Sequence, residues 1–530
     1  MYDVVVYGSS PAGIAAAVAA GHLGLRVALY EPLEMIGGMG AAGNLALHDG
    51  GVEAERTGLA RNFSLLAGAH YKLPHGTQVP QPESFVSEAT FYQMLSAARV
   101  STIKLGCVLT SAEASTAVES VRLTCERAPV RAKVFIDASY DADLVVALNG
   151  TVPYTWGREA NTTYNESLAG ARVPGWHGVH APRHVNALRD DGTLLKYVSN
   201  LTELAPPGAA DDALMAFQHR LCISADADRV PWPRPAGYEP ADFLLLQRAL
   251  EADGGASDFF TKLPPPRMQG YPGPRKKYTL CCGISVGATD QPRLNKGWAA
   301  ASWAQRRQLV AAHSYFELGS FYYLANDPRV PAAVRRRFGS YGLCADEFAA
   351  FGHVPPQLYV RASNRLVGER VLTQASLARP RRKPDGIAVG DWPFDQHMTG
   401  KYAVPVEGRP GAYEVTLEGN YWPPVTPTGG NWYDVPYWAM LPAKGRGTNL
   451  LVPVCLSASA VAFSSARIEN MLMSVGTAAG VAAAQLVDGS AASVHDVDVA
   501  RVQQVLVHTF GQRVHGPPGK YVPPAAATRV

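Results

Sequence analysis

Cysteine is scarce in this chain, and its spacing suits none of the residue's usual structural roles. The seven cysteines, Cys107, Cys125, Cys222, Cys281, Cys282, Cys344 and Cys455, are odd in number and scattered, with no CxxC and no Cys/His spacing of a zinc site. The pattern predicts neither a structural metal nor a disulfide framework. The adjacent Cys281 and Cys282 read as bystanders rather than as a strained redox pair. Long apolar runs are missing as well. None reaches 18 residues, and the stretch Met1 to Ala20 is broken by Gly8, Ser9, Ser10, Pro11 and Gly13, which excludes a signal peptide or a membrane span there. Charge is sparse at 18% of residues, with a formal net charge of +3, so no polybasic surface points to nucleic acid. A soluble protein without a visible targeting segment is expected. Its compartment stays open, with the cytoplasm preferred. Asn-x-Ser/Thr triplets such as those at Asn62, Asn161, Asn165 and Asn200 would permit glycosylation in a secretory compartment, although such triplets also arise by chance.

What is present begins at the first residues. Asp3 to Tyr7 is β-branched and apolar, Pro11 to Leu23 is alanine-rich, and Arg26 to Tyr30 is apolar again, a pattern of strand, glycine turn, helix and strand. A dinucleotide site needs that order, with backbone N–H groups facing a pyrophosphate and an acid about twenty residues on for the ribose. Gly8 supplies the turn, Gly13 lets the helix lie close to the strand, and Glu31, followed by Pro32, can accept the ribose hydroxyls and disfavour a 2′-phosphate. Ser10 stands where the pyrophosphate ordinarily requires glycine, but it is small and able to donate to phosphate. A second glycine stretch, Ile36 to Gly43, has too few side chains for core and reads as a loop against a ligand, with Gly37, Gly38 and Met39 able to approach a flavin.

Farther along, Val134 to Ile136 returns the chain to the sheet. From about Thr151 to Met440 the sequence turns rich in proline, tryptophan and tyrosine, with helices expected at Trp298–Ala325 and Pro331–Phe338. Asn449 to Val454 reads as a buried strand. Ala466 to Val487 reads as a long helix whose small residues permit close packing, and whose N-terminus could stabilise a reduced flavin if aimed at it. These features divide the chain into a first part of a nucleotide-binding domain (1–150), an inserted substrate or cap domain (151–440), the returning C-terminal part (441–490), and a helix around Val499–Val507 with a loose tail from Pro517 (491–530). The expected fold class is α/β, a Rossmann-like FAD-binding domain with an inserted α+β domain.

The segments VVVYGSSPAGIAAAVAAGHLGLRVALYEP, GGMGAAG, FIDASYDADL, WGREANTTYNESLAG, LANDPRVP, QLYVRASNRLVGERVLT and NLLVPVCLSASAVAFSSARIENMLMSVGTAAGVAAA together resemble the FAD-dependent oxidoreductase family of xanthan-lyase-associated type, within the glutathione-reductase-like flavoprotein superfamily. The similarity runs to about Val487. It implies a non-covalent FAD and carries flavin contacts to Gly8, Ser9, Ser10, Pro11, Ala12, Gly13, Glu31, Pro32, Gly37, Gly38 and Met39. It further implies an adenine contact through the Val108 backbone, contacts from Ala138, Ser139 and Asp143 beside the pyrophosphate, and contacts from Ser457, Ser459, Glu469, Asn470 and Met471 near the ring. Two departures stand out. Ser10 replaces a glycine, and Ala460 stands where relatives often carry histidine in a SASHVAF-like run.

A flavin accepts a hydride itself, so the protein must supply a base for the leaving proton and a cation or donor for the substrate. His397 beside Asp395, in a segment matching a DSH-type stretch of the family, is the candidate base, and Arg361 is the candidate anchor. Arg361 and Arg365 would share one helical face if their stretch were helical. Arg158 with Glu159 reads as a structural ion pair, and His48 follows the second glycine loop. Tyr421, Trp422, Trp432, Tyr433, Tyr437 and Trp438 read as interdomain core rather than as a stacking platform. The expected function is FAD-dependent oxidation of a small organic molecule, a sugar, polyol or hydroxy acid, with the electron acceptor undefined. A flavin-binding isomerase or hydratase without net redox change, and a non-catalytic protein with a degenerate nucleotide site, are the alternatives.

Overall fold

The computed structural model describes residues 1–47, 49, 56–175, 185–252, 271–280, 288–377, 382–421 and 432–516. His48, Cys281, Cys282, Trp422 and the tail from Pro517 lie outside the described residues.

Five strands build a parallel sheet: β1 (Tyr2–Tyr7), β2 (Val27–Tyr30), β3 (Thr102–Lys104), β4 (Ala132–Asp137) and β5 (Leu450–Leu451), in the order β5-β4-β1-β2-β3. The valines of β1 and all four residues of β2 are buried, as a parallel sheet covered on both faces requires. Between β1 and β2 runs α1 (Pro11–His22), with Ser10 as N-cap and Pro11 in the first turn, where its missing N–H costs nothing. Near the chain's far end, α3 (Glu469–Val487) packs directly on α1. The small residues allow this contact. A Cβ on Gly476 would lie 2.0 Å from the Ala12 carbonyl oxygen, and one on Gly480 would lie 2.3 Å from that of Ala16. By length and composition α3 is apolar enough to cross a membrane, but 78% of it is buried inside the protein.

The residues between these two halves form smaller antiparallel sheets. One joins Lys277–Leu280, Leu221–Ser224 and Gly342–Leu343; another joins Tyr413–Glu418, Gly400–Pro405 and, in parallel, Ser199–Asn200. The long helix α2 (Trp303–Asn326), capped by Ser302 and Gln305, packs Phe321 against Trp232 and Phe338 in a second core.

Several elements differ from expectation. The stretch from Trp298 begins with a 3-10 turn (Trp298–Ala300) before α2, and α3 starts at Glu469, after a separate short helix at Ala460–Phe463. Arg361 and Arg365 are not on a helix. Arg365 sits on a two-residue strand, paired with Glu159, whereas Arg158 pairs with Asp211 and Glu418, so Arg158 and Glu159 hold different partners. Tyr421, Tyr433 and Tyr437 are buried in the main core. The expectation of no disulfides is overturned: Cys107 bonds Cys125 and Cys222 bonds Cys344. Spacing hid both pairs: Cys222 and Cys344 meet only because Leu221–Ser224 pairs with Gly342–Leu343, and Cys107 and Cys125 meet only because the hairpin Leu109–Ala114/Val118–Leu123 closes between them. Among the described residues no cluster of metal-ligating side chains occurs.

Candidate nucleotide cleft and the network beside it

The cleft opens at the carboxyl ends of β1, β2 and β4, the position where parallel α/β sheets receive ligands. Gly8, Ser10, Glu31, Pro32, Gly38, Ala138, Ser139 and Asp143 line its sheet side. Gly8 adopts φ +91°, and a Cβ there would come within 2.6 Å of the Ser139 nitrogen; a Cβ on Gly13 would stand 2.0 Å from the Gly8 oxygen. Both positions therefore exclude any other residue.

Ser9 ties the two glycine loops together. Its backbone N–H and its hydroxyl donate to Glu31 Oε2 at 2.7 and 2.6 Å, and its own hydroxyl oxygen accepts from the Gly37 N–H at 3.1 Å. Glu31 Oε1 accepts from the Leu33 N–H. Burial lifts the Glu31 carboxyl above its ordinary range, against the pull of those donors. The Ser10 hydroxyl donates to the Ala138 carbonyl at 2.8 Å and accepts from the Gly13 N–H, so its proton goes to the chain just after β4 and its oxygen caps α1. Val108 uses both its N–H and its carbonyl on Thr124.

The opposite wall comes from Trp298, Trp303, Arg306, Arg307, Gln357 and Leu358. Arg306 on α2 bonds Asp143 at 2.6 Å and Asp141 at 3.3 Å, and the Trp298 indole donates to Asp141, which neutralises carboxylates that would otherwise repel a phosphate. Arg307 is exposed at the mouth and makes no ion pair among the described residues.

One end of the cleft is closed by Tyr140. Its phenol accepts from the Met39 N–H at 2.8 Å and donates to Glu469 Oε1 at 2.8 Å, at the start of α3. Glu469 Oε2 is buried without a partner among the described residues, and burial pushes this carboxyl up to about 8. The enclosed space measures about 170 Å³, below the roughly 300–1,000 Å³ of typical small-molecule sites. At the Met39 end the Tyr140 side chain takes up the space. Ser457, Ser459, Asn470 and Met471 do not line this cleft. The Ser457 hydroxyl donates to the Arg370 carbonyl, Ser459 caps the Ala460 helix and bonds Glu166, the Asn470 side chain accepts from the Met471 N–H, and the Met471 sulfur meets the Tyr433 hydroxyl.

Beyond Tyr140 lies a second polar cluster, which does bring His397, Asp395 and Arg361 together. His397 Nδ1 is 2.6 Å from Asp290 Oδ2, and Nε2 is 3.5 Å from Asp395 Oδ1. Arg361 bonds Asp290 at 3.0 Å and the Ala216 carbonyl, and its guanidinium lies 4.4 Å from the Tyr359 ring. Arg467, two residues before Glu469, bonds Asp395 at 2.8 Å and the Tyr359 hydroxyl at 2.8 Å. Tyr359 packs on Met39 and Tyr140, which makes the cluster contiguous with the cleft. Burial and the Arg361 charge work against a charged His397, but Asp395 and Asp290 outweigh them, and its pKa is raised. Burial pulls Lys401, which donates to Gln291, down to about 7. The sequence offered no pattern for Asp290, Tyr140, Tyr359 or Arg306. Arg467 stands in the SSARIEN stretch, where nothing in its neighbours marks it as a partner of Asp395.

A family model described as FAD dependent oxidoreductase matches residues 3–506 of the chain. No curated protein matches. Among solved structures, the flavin-dependent brominase Bmp2 is 19% identical over 26% of this chain and 38% of its own, with a TM-score of 0.20. THI4 of Thermovibrio ammonificans is 17% identical over 32% of this chain and 71% of its own, with a TM-score of 0.22. The thioredoxin reductase of Lactococcus lactis is 18% identical over 26% and 35%, with a TM-score of 0.18. The match thus spans well under half the length of the brominase, and likenesses this slight carry no weight for function.

Proposed function

Because the chain belongs to the FAD dependent oxidoreductase family, and is an enzyme of that kind with FAD as its cofactor, we propose that it oxidises a small organic molecule carrying a C–H beside a hydroxyl, such as a sugar, polyol or hydroxy acid. The cleft at Gly8, Ser10, Glu31 and Asp143 carries this reading. The N-terminus of α1 and the glycine turn would hold the pyrophosphate, Glu31 the ribose, and Arg307 adds a cation at the mouth. When bound, FAD supplies the acceptor for the substrate hydride. The protein's part is to take the hydroxyl proton, leaving a carbonyl. His397 is the proposed base, oriented through Nδ1 by Asp290 and faced by Asp395, with Arg361 as the neighbouring cation. The proposed domain division remains 1–150 with 441–490 for FAD, 151–440 for substrate and 491–530 as terminal helix and tail. The finer kinship with the xanthan-lyase-associated type rests on the sequence segments that resemble it.

Tyr140 favours a second reading, in which the site keeps nucleotide affinity but has lost turnover. One experiment separates the two. Purified protein is examined by absorption, its cofactor released and identified, and the bound flavin mixed anaerobically with candidate alcohols. FAD bands that bleach with substrate support oxidation. Bound FAD that no substrate reduces supports the degenerate site, and a colourless protein that takes up no added FAD overturns both.

A further inference from the structure

Two observations outside the lining of the cleft point to where the chain matures. The first is the pair of disulfides. Cys107–Cys125 closes the base of the hairpin formed by Leu109–Ala114 and Val118–Leu123, with Cα atoms 5.0 Å apart. Cys222–Cys344 ties two adjacent strands, with Cα atoms 5.5 Å apart, and both residues are buried. Both Cα separations lie inside the range that disulfides span, and such bridges persist where the compartment is oxidising.

The second observation is independent of cysteine. The asparagines of the five Asn-x-Ser/Thr triplets, Asn62, Asn149, Asn161, Asn165 and Asn200, are all exposed, and none is followed by proline. Asn200 is the best presented. It stands at a strand end, capping the turn Leu201–Glu203, and its Oδ1 accepts from both the Thr202 N–H and the Thr202 hydroxyl at 2.9 Å. Nδ2, the atom that carries an N-linked sugar, has no partner among the described residues. None of the five lines the cleft.

We infer that this enzyme matures in an oxidising secretory compartment and carries an N-linked oligosaccharide on Asn200. At each bridge, two thiols give two protons and two electrons to a disulfide oxidant of that compartment. At Asn200, Nδ2 bonds the anomeric carbon of an oligosaccharyl pyrophosphate donor, and the pyrophosphate leaves as the amide loses a proton. Neither modification obstructs the cleft, since Asn200 and the four bridged cysteines are absent from its lining, and Cys107, whose N–H donates to the Glu31 carbonyl at 2.9 Å, braces it from behind.

The full chain, directed into the secretory pathway of a eukaryotic host, tests this. Intact mass and peptide mapping are taken before and after enzymatic removal of N-glycans, and reactive thiols are counted in denaturant without reductant. The expected result is a glycan mass that disappears on treatment, conversion of Asn200 to aspartate at the cleaved site, loss of one glycan step in Asn200→Gln, and at most three reactive thiols, since four of the seven cysteines are bridged. An unmodified Asn200 overturns the glycan assignment even if the bridges form. Seven reactive thiols overturn the oxidising compartment.

Discussion

Tyr140 donates to the Glu469 carboxyl at 2.8 Å while accepting from the Met39 N–H, and this single phenol closes the end of the cleft toward which the second glycine loop points. Under the proposed function the Met39 N–H would serve the flavin, and Tyr140 competes for it. Replacing Tyr140 by alanine should free that donor and enlarge the cavity. Release of one hydrogen bond and the accompanying space, on the order of 1–1.5 kcal/mol, predicts about tenfold tighter FAD binding, read by quenching of flavin fluorescence on titration of the stripped protein. Weaker binding would show that the ring is a wall of the site and not its competitor.

Glu469 carries a pH signature. Its folded pKa, raised to about 8 by burial, lies above its unfolded value. The folded state therefore holds a proton that the unfolded chain has released between those two values, and stability should fall as pH rises from about 4.5 to 8. Glu469→Gln, a neutral mimic, should flatten that fall and gain up to a few kcal/mol at the upper end, since each tenfold difference in proton affinity between the folded and unfolded states is worth roughly 1.4 kcal/mol. Chemical denaturation at about pH 5, 6.5 and 8 spans the window in which the two states differ in protonation. Equal slopes in the two proteins would mean that Glu469 titrates normally.

Gly13 has no room for a side chain, since its Cβ would meet the backbone oxygen of Gly8 at 2.0 Å. Gly13→Val should push α1 off β1, abolish FAD retention, and destabilise the fold by about 3 kcal/mol or more, as overpacking at a backbone contact does. Flavin content after gel filtration and thermal melting read the two effects. Full flavin occupancy would place the cofactor elsewhere.

The parallel half of the fold was legible because its signals are local. The β1–α1–β2 unit needs alternation between apolar runs, one capped helix and a glycine turn within about thirty residues, and the Pro11 helix start and the close approach at Gly13 are read from their neighbours in sequence, whereas the Ser10 hydroxyl, expected to serve a phosphate, donates to the Ala138 carbonyl and caps α1. The helix of small residues was legible for the same reason, although it starts later than expected, at Glu469. The candidate site was legible only in part. His397 and Asp395 are close in sequence, but Asp290, which approaches His397 most closely, lies 107 residues away and is brought in by tertiary packing alone. Nothing about a tyrosine in FIDASYDADL announces that the Tyr140 ring crosses to α3. The disulfides were missed because counting spacings cannot reveal which strands become neighbours.

The Cys222–Cys344 bridge closes a chain segment 122 residues apart, so its chain-entropy effect should be near the upper end of the usual range. The double replacement Cys222→Ser with Cys344→Ser should cost about 3–5 kcal/mol, read as a lowered midpoint in denaturant. The Cys107–Cys125 bridge closes only 18 residues, and replacing both its cysteines by serine should cost less, about 3 kcal/mol. A reversed order would mean that residual unfolded structure, not loop length, governs the two bridges.

His397 links the buried network to chemistry through a definite sign. As a base it must be neutral, so the rate of flavin reduction by substrate should rise with pH through a midpoint above the ordinary histidine value, because Asp395 and Asp290 together outweigh burial and the Arg361 charge. The same raised pKa gives folding stability that is full at low pH and is lost as pH climbs through that midpoint. Asp290→Asn removes one of the two acids while preserving a partner for Nδ1. Its midpoint should therefore move down, with a modest loss in the plateau rate, whereas His397→Asn should lower the rate by roughly 10²–10⁴-fold at every pH. Anaerobic stopped-flow reduction across about pH 5 to 9, which brackets the histidine range, separates the cases. A midpoint that stays fixed in Asp290→Asn, or a rate untouched in His397→Asn, would remove His397 from the reaction and leave the cluster as a buried structural network.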